Sequence, residues 1–508
     1  RWSRPQGPAV SWSPVPLPSS LPDTAAEVAR RCDAFSLVVD GGEAHLHAGI
    51  SGAVPIYVDD GAPSGHGSAG GAVHFCSRVE PLARTRSGAL RPDWDAWAHV
   101  LAAGGPLDGR TTFEGIHRMQ PWSRIGVHQG SDPELTTAGW PWLDVPSAGP
   151  ADETRLDAVR DALAAAVTEL GSRVPLTSLL SGGWDSRILA TLAVRASSGP
   201  VRAWTTSSDT GTVMEELVAA KVAEHLGLPH EVVAPRRDGF AADLDLFARS
   251  VDYQTSFHVW LVPLARALVG TKGAVLDGLG GGLFVGGAFG DDDTDRPVLD
   301  KRFDSLARYL DGAEEMLHPR VVAQLRERTR AGFESIAKPL ADHPFASTFT
   351  AYLTRTLPGI SLAPYGLMAS SAPVATPFLD DGVVRAALAI PAEKHADGRL
   401  YPELLRTLDG ELADLPTALD LTSRPRRHPR RVASVEAAEH FRELLTRDPV
   451  RRLLAPGLAS AEVDVWQGYL NQTRPQHVIR SLATLSLWLE EYRDVLGDIG
   501  VDELMEGI

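Results

Sequence analysis

The stretch Val174-Pro175-Leu176-Thr177-Ser178-Leu179-Leu180-Ser181-Gly182-Gly183-Trp184-Asp185-Ser186 decides the fold of this chain. Val174 to Leu180 is an apolar run of strand length. Gly182 and Gly183 allow a tight turn and a close approach of the backbone to a ligand. Asp185 and Ser186 stand where the next helix, expected over Asp185 to Ala196, begins. A helix start offers unpaired N–H groups and the positive end of the helix dipole, which suits phosphate. The string lacks the lysine of the Gly-x-x-x-x-Gly-Lys-Ser/Thr loop that reaches β- and γ-phosphates. A tight turn capped by Ser181 and Asp185 is the other reading of the same residues.

Outward from this point the pattern alternates. Helix Asp152 to Leu170, strand Pro175 to Leu180, helix Asp185 to Ala196, strand Val201 to Thr206 and helix Val213 to Leu226 follow in turn. Strand Glu231 to Val233, helix Phe257 to Val269 and strand Gly273 to Asp277 come next. Such alternation predicts a parallel sheet with helices on both faces, whose ligands sit at the carboxyl ends of the strands. After Lys301 the chain reads as amphipathic helix. From about Ala34 to Gln129 it is β-rich. Phe35 to Val39 and Ala44 to Ala48 alternate around Gly41-Gly42 as a hairpin. Val54 to Val58, Ala72 to Cys76 and Ile125 to Gln129 are further strands, and Trp94 to Ala103 is a helix. Residues 131–152, rich in Pro, Gly, Ser and Thr, read as a linker. Two domains are therefore expected, 1–145 and 151–508.

A chain of 508 residues is long enough for such domains. A net charge of −16 argues against a general nucleic-acid binder. Cys32 and Cys76 are the only cysteines and form neither a metal spacing nor a disulfide framework, so a reducing cytoplasm is the expected home. No apolar run approaches the roughly 20 residues that span a bilayer, and Arg1 to Leu21 is no secretory signal.

A second glycine cluster, Leu276-Asp277-Gly278-Leu279-Gly280-Gly281-Gly282-Leu283-Phe284-Val285-Gly286-Gly287, follows another buried strand and is expected to line the same pocket. With these residues in place, the chain resembles the asparagine synthetase superfamily, N-type ATP pyrophosphatases, over nearly its whole length. The synthetase half of that superfamily carries a Ser-Gly-Gly-x-Asp-Ser loop, matched at Ser181 to Ser186. Its Gly-x-Gly-x-Asp-x-x-x-Gly-Gly segment is matched in part at Gly278 to Gly287. Pro377-Phe378-Leu379-Asp380, Leu404-Leu405-Arg406 and Leu415-Pro416 match further elements. A basic loop holding Arg424, Arg426, Arg427, Arg430 and Arg431 then follows. Glu215 to His230, with Ala-Glu-His-Leu-Gly inside it, is also similar. In the N-terminal half, Gly52 to Tyr57, Phe75 to Glu80 and Thr111 to Ile116 resemble a glutaminase domain.

The fold implied by the resemblance is α/β. A β-rich, glutaminase-like (Ntn-type) sandwich would precede a parallel-sheet ATP-pyrophosphatase domain with a helical C-terminal part. The activity implied is amide formation with ATP and magnesium as cofactors. A carboxylate attacks the α-phosphorus, and an amine then displaces AMP. Leu180, Ser181, Gly182, Gly183, Asp185, Ser186, Thr206, Gly278, Leu279 and Gly280 would bind ATP, and Asp185 would also bind the metal. Catalytic candidates beside Asp185 are Lys394 and Tyr401, near the place of a family lysine, and Arg424 and Arg427, whose forks suit phosphate. His258 and Trp260 would line the substrate pocket.

The departures from the family shape the expected function. A glutaminase needs an N-terminal cysteine whose own amine acts as base, whereas this chain reads Arg1-Trp2-Ser3. The N-terminal domain is expected to be a retained scaffold and the amine to belong to the substrate. The second metal aspartate of the family falls at Gly282, and an amine-orienting acid or tyrosine falls at Leu279. Asp277 is the nearest acid, while Asp291, Asp292 and Asp293 read as a solvated turn. The leading expectation is a lasso-peptide macrolactam synthetase acting on a precursor peptide, with a leader-binding or protease partner. A β-lactam synthetase or other small-molecule amide ligase is the second. A nucleotide-binding scaffold in a peptide-maturation complex is the third.

Overall fold

The computed structural model describes residues 2–4, 7–18, 21–22, 24–40, 42–59, 73–86, 88–128, 133–137, 139–146, 155–207, 209, 212–287, 296–395, 398–418, 420–421 and 430–506. Five strands form a parallel sheet in the spatial order His230–Val233, Arg202–Thr206, Leu176–Leu179, Ala274–Leu276, Val374–Ala375. Thr177 pairs with Arg202 on one side and Val275 on the other. Alternate residues face opposite layers, the period-two signature of a strand covered on both faces. Leu176, Ala203, Ala274 and Leu276 join one apolar cluster with Leu163, Ile188 and Val218, from helices Arg155–Arg173, Trp184–Ala196 and Met214–Leu226. Val275 joins the other cluster with Phe240, Leu244 and Leu264, from helices Phe240–Ser250 and Val262–Ala267. The strand order reverses between Leu176–Leu179 and Ala274–Leu276. Their following loops therefore flank the switch point, where open α/β sheets take ligands.

The N-terminal part holds two antiparallel sheets. One has six strands in the order Trp2–Arg4, Gly7–Trp12, Phe35–Asp40, Glu43–His47, Arg124–His128, Glu134–Thr136, and the other runs His74–Cys76, Tyr57–Asp59, Ile116–Arg118. The expected hairpin and the helix Trp94–Ala103 are both present.

Several elements differ from the expectation. The helix expected over Phe257 to Val269 is a short 3₁₀ turn, Val259–Leu261, followed by Val262–Ala267. His258 at φ +64° takes the backbone out of helical geometry, and Pro263 suits the first turn of the helix that then starts. The strand expected from Val54 lies at Tyr57–Asp59. Helix Phe240–Ser250 and strands Gly7–Trp12 and Val374–Ala375 were not foreseen.

Nor is the 131–152 region a simple tether. It contains strand Glu134–Thr136, and its Trp142 is fully buried against Phe284 with ring centroids 5.3 Å apart. Trp142 Nε1 donates to Asp381 Oδ1 at 3.1 Å, and Trp140 Nε1 donates to the Ile50 carbonyl at 2.9 Å. Buried Arg118 reaches across in the same way, donating to Leu357 O (2.6 Å), Gly52 O (3.0 Å), Ala53 O (3.1 Å) and Ser361 Oγ (3.1 Å). The two halves share core.

Candidate functional site

The first loop is built by the strand that feeds it. Leu180 N–H donates to Trp204 O at 2.8 Å, so sheet pairing persists to the edge of the turn. Thr205 Oγ1 donates to Leu180 O at 2.7 Å, and neighbouring Thr206 Oγ1 donates to Val233 O at 3.1 Å, closing the carboxyl ends of three strands. Ser186 folds back so that its Oγ accepts from Ser181 N–H at 3.0 Å, and Ser181 Oγ accepts from Gly183 N–H at 3.1 Å. Gly182 N–H donates to Glu215 Oε2 at 2.5 Å, a carboxylate oxygen standing on a donor that would serve a phosphate. The helix Trp184–Ala196 begins at Gly183 with no side-chain cap, leaving its N-terminal end open for an anion.

Two features fix this loop. Gly182 has no room for a side chain, since a Cβ there would lie 2.6 Å from Ala418 Cβ. Fully buried Arg187 donates to Gly182 O (3.1 Å), Leu412 O (3.1 Å), Leu415 O (2.7 Å) and Pro416 O (2.7 Å), riveting the turn to the Leu415-Pro416 segment.

The second loop packs onto Asp185. Gly280 has φ +91°, a left-handed geometry that favours glycine. A Cβ at Gly278 would lie 2.6 Å from Asp185 Cβ, and one at Gly281 would collide with both Asp185 Oδ1 and the Tyr401 hydroxyl. The glycines therefore let Asp185 and Tyr401 meet: the Tyr401 hydroxyl donates to Asp185 Oδ1. Asp277 Oδ1 accepts from Leu279 N–H at 2.8 Å. Leu279 is buried. Gly282 faces open space, with nothing within 4 Å of a Cβ built there.

Desolvation dominates the electrostatics. It pushes the Asp185 carboxyl up to about 6, against the Tyr401 hydrogen bond that favours the anion, and Asp277 adds repulsion. Desolvation also pushes Asp277 up to about 6, against the Leu279 N–H. Burial and the neighbouring Asp185 hold the Tyr401 phenol well above its ordinary range, so it remains a donor. Among the described residues no Lys, Arg or His makes an ion pair with Asp185 or Asp277, and no three metal-binding side chains gather. Desolvated carboxylates without a cation fit a metal ion that arrives with the nucleotide, since magnesium in phosphate sites takes one or two carboxylates and completes its shell with phosphate and water.

The loop thus brings together Leu180, Ser181, Gly182, Gly183, Asp185, Ser186, Thr206, Gly278, Leu279, Gly280 and Tyr401. Lys394 is not brought in: it is exposed on the short helix Ala392–His395 and makes no described contact with Asp185. Arg424, Arg426 and Arg427 lie outside the described residues, as do Asp291, Asp292 and Asp293. Arg431 is structural: its Nη2 donates to Asp243 Oδ2 at 2.6 Å and its Nε to Arg236 O at 2.6 Å. Arg430 is buried and donates to Thr473 Oγ1 at 3.0 Å. His258 and Trp260 pack on each other, 5.7 Å between centroids. Sequence reasoning missed Arg187 and Glu215. Arg187 follows the motif by one residue in an otherwise apolar helix, which is the signal that could have found it. Glu215 opens the family-like segment Glu215 to His230, but nothing in that segment pointed to Gly182.

No curated protein matches the chain. The asparagine synthase family, in contrast, matches residues 158–490, a span that starts in the helix before the Ser181–Ser186 loop and ends in the last long helix. The match covers most of the chain and contains both glycine loops, Asp185 and Tyr401, so this protein belongs to the asparagine synthase family, an ATP-dependent, amide-forming family.

Proposed function

We propose that this protein is an AMP-forming amide ligase that activates a side-chain carboxylate of a precursor peptide and closes a macrolactam with the peptide's own amine. The observation that carries the reading is the uncapped Ser181–Ser186 turn at the sheet's switch point, with Asp185 and Tyr401 locked beside it. In the reaction a carboxylate oxygen attacks the α-phosphorus of ATP and the bond to the bridging oxygen breaks. Pyrophosphate leaves and an acyl-adenylate remains. The amine then attacks the acyl carbon, AMP departs with the bonding pair, and the nitrogen gives up a proton.

The chain's part is positioning and charge placement. The uncapped helix start would take the phosphates, joined by Gly182 N–H once Glu215 gives way. Tyr401 holds Asp185 in one orientation, and Leu279 N–H holds Asp277. Asp185 and Asp277 would hold magnesium, which when bound neutralises phosphate charge. Burial pushes the Cys32 thiol up, the opposite of an activated nucleophile.

The test is incubation with ATP, magnesium and candidate peptides. The expected result is pyrophosphate together with a peptide lighter by one water. Pyrophosphate only with small acids points to a small-molecule or β-lactam ligase. Nucleotide binding without pyrophosphate points to a scaffold, a reading favoured by Leu279, whose side chain cannot carry a proton, and by Gly282, which has no side chain. A protease or leader-binding partner and a cytoplasmic setting complete the proposal.

A further inference from the structure

The segment Tyr352–Ile360 is wound with i→i+5 hydrogen bonds, Ser361 N–H donating to Thr356 O at 2.8 Å, a geometry that collects at functional sites. Its Tyr352 packs on Phe284 of the second glycine loop, with centroids 5.3 Å apart. Its Arg355 belongs to a second group. Arg355 and Arg480 both press on the His258 imidazole, and with Arg308 they press on His477. Arg308 lies 4.5 Å over the Tyr309 ring, on which His477 also stacks at 3.8 Å.

Arg308 is partnered, its guanidinium donating to Ser305 O and, at 2.8 Å, to the Tyr309 hydroxyl, but the rest of the group is not. His477 is 1% exposed, and neither ring nitrogen has a partner among the described residues. His258 Nδ1, Arg355 Nε and Arg480 Nε are likewise buried and unpartnered. No described carboxylate makes an ion pair with Arg355 or Arg480. Asp209, the acid that acts on Arg480, already accepts Arg431 N–H at 2.6 Å and Val432 N–H at 3.2 Å. Asp209 follows strand Arg202–Thr206 by three residues. Asp209, whose charge acts on Arg480, therefore stands past the carboxyl end of that strand, the side on which the Ser181–Ser186 loop opens.

Desolvated like charges with open hydrogen-bonding capacity destabilise a fold, and such groups persist where a ligand supplies the missing charge. We propose that Arg355 and Arg480, walled by His258 and His477, form a subsite that seats a carboxylate of the substrate. Guanidinium forks match a carboxylate bidentately. This rests on the amide-ligase reading and adds to it that the substrate is acidic, as a peptide segment or a small acid.

The test uses the full chain and fluorescence anisotropy of a labelled Gly/Ser peptide bearing two glutamates, against its glutamine counterpart. The wild type is expected to prefer the glutamate peptide by about tenfold, and Arg355→Gln and Arg480→Gln to bring that preference close to unity. Both variants are expected to melt at or above the wild-type temperature, because each removes an uncompensated charge. Should one not fold, Arg480→Lys keeps the charge without the fork: a reduced preference supports the subsite and a full one overturns it. Competition by glutarate assigns a small acid. Its failure, with glutamate preference intact, assigns a peptide.

No glutamate preference in the wild type, or an undiminished preference in the variants, overturns the subsite. Displacement by inorganic pyrophosphate but not by any carboxylate also overturns it, because the group then holds phosphate. Binding of an α,β-methylene ATP analogue to the wild type is measured separately. If the analogue binds and glutamate preference is absent, the subsite alone fails. If the analogue does not bind, the ligase reading fails and takes the subsite with it.

Discussion

At the scale of single residues, the two aspartates set the pH behaviour. Asp277 is pushed up to about 6 by desolvation, so the fold favours its protonated form. Stability from this group is therefore full at low pH, and it falls as pH rises from about 4 to about 6, when the carboxyl ionises inside the protein. Asp277→Asn keeps an acceptor for Leu279 N–H and cannot ionise. Chemical denaturation at pH 8 is expected to find the variant more stable by about 1–2 kcal/mol, with no difference at pH 4. Asp185 is pushed to the same range, so pyrophosphate release that needs its anion is expected to rise with pH through about 6. Asp185→Ala is expected to abolish release, and full release by that variant would remove the loop assignment. Asp185 was legible because its motif is local. Its contact with Tyr401 was not, because 216 positions separate the two and only the packed glycines bring them together.

At the scale of elements, the second glycine loop divides into positions that need glycine and one that does not. Gly281→Ala puts a methyl into Asp185 and Tyr401 and is expected to cost about 2 kcal/mol or more, with loss of nucleotide affinity. Gly282→Ala meets open space and is expected to change stability by less than about 0.5 kcal/mol. Thermal melts of the pair read this contrast directly. Arg187 ties the first loop to the Leu415-Pro416 segment through several carbonyls, so Arg187→Met is expected to cost about 2–4 kcal/mol and to weaken ATP binding. The parallel strands were readable as short apolar runs set between helices. Val374–Ala375 was not, because two residues carry no period, and its place is fixed only by pairing with Val275 and Leu276. The helix expected at Phe257 failed because apolar spacing says nothing about the left-handed backbone at His258.

At the scale of the whole molecule, the N-terminal sheets and the ATP-binding half share buried contacts. Arg118 bridges to Leu357 and Ser361, Trp142 reaches Asp381, and Arg78 pairs with Asp252 at 2.7 Å. Residues 151–508 expressed alone are therefore expected not to fold stably. Calorimetry of the full chain is expected to show one transition rather than two, since separate transitions require separate cores. The Pro/Gly/Ser/Thr composition of 131–152 suggested a tether because it reports backbone freedom, while Trp140 and Trp142 within it decide the packing. All of these scales meet at the turn between strand Leu176–Leu179 and its helix, and one measurement addresses it most directly. A crystal structure with an α,β-methylene ATP analogue and magnesium is predicted to show the phosphates on the amides of Ser181–Ser186, with Glu215 displaced from Gly182 and the metal at Asp185. A nucleotide bound elsewhere, with Glu215 still on Gly182, would contradict it.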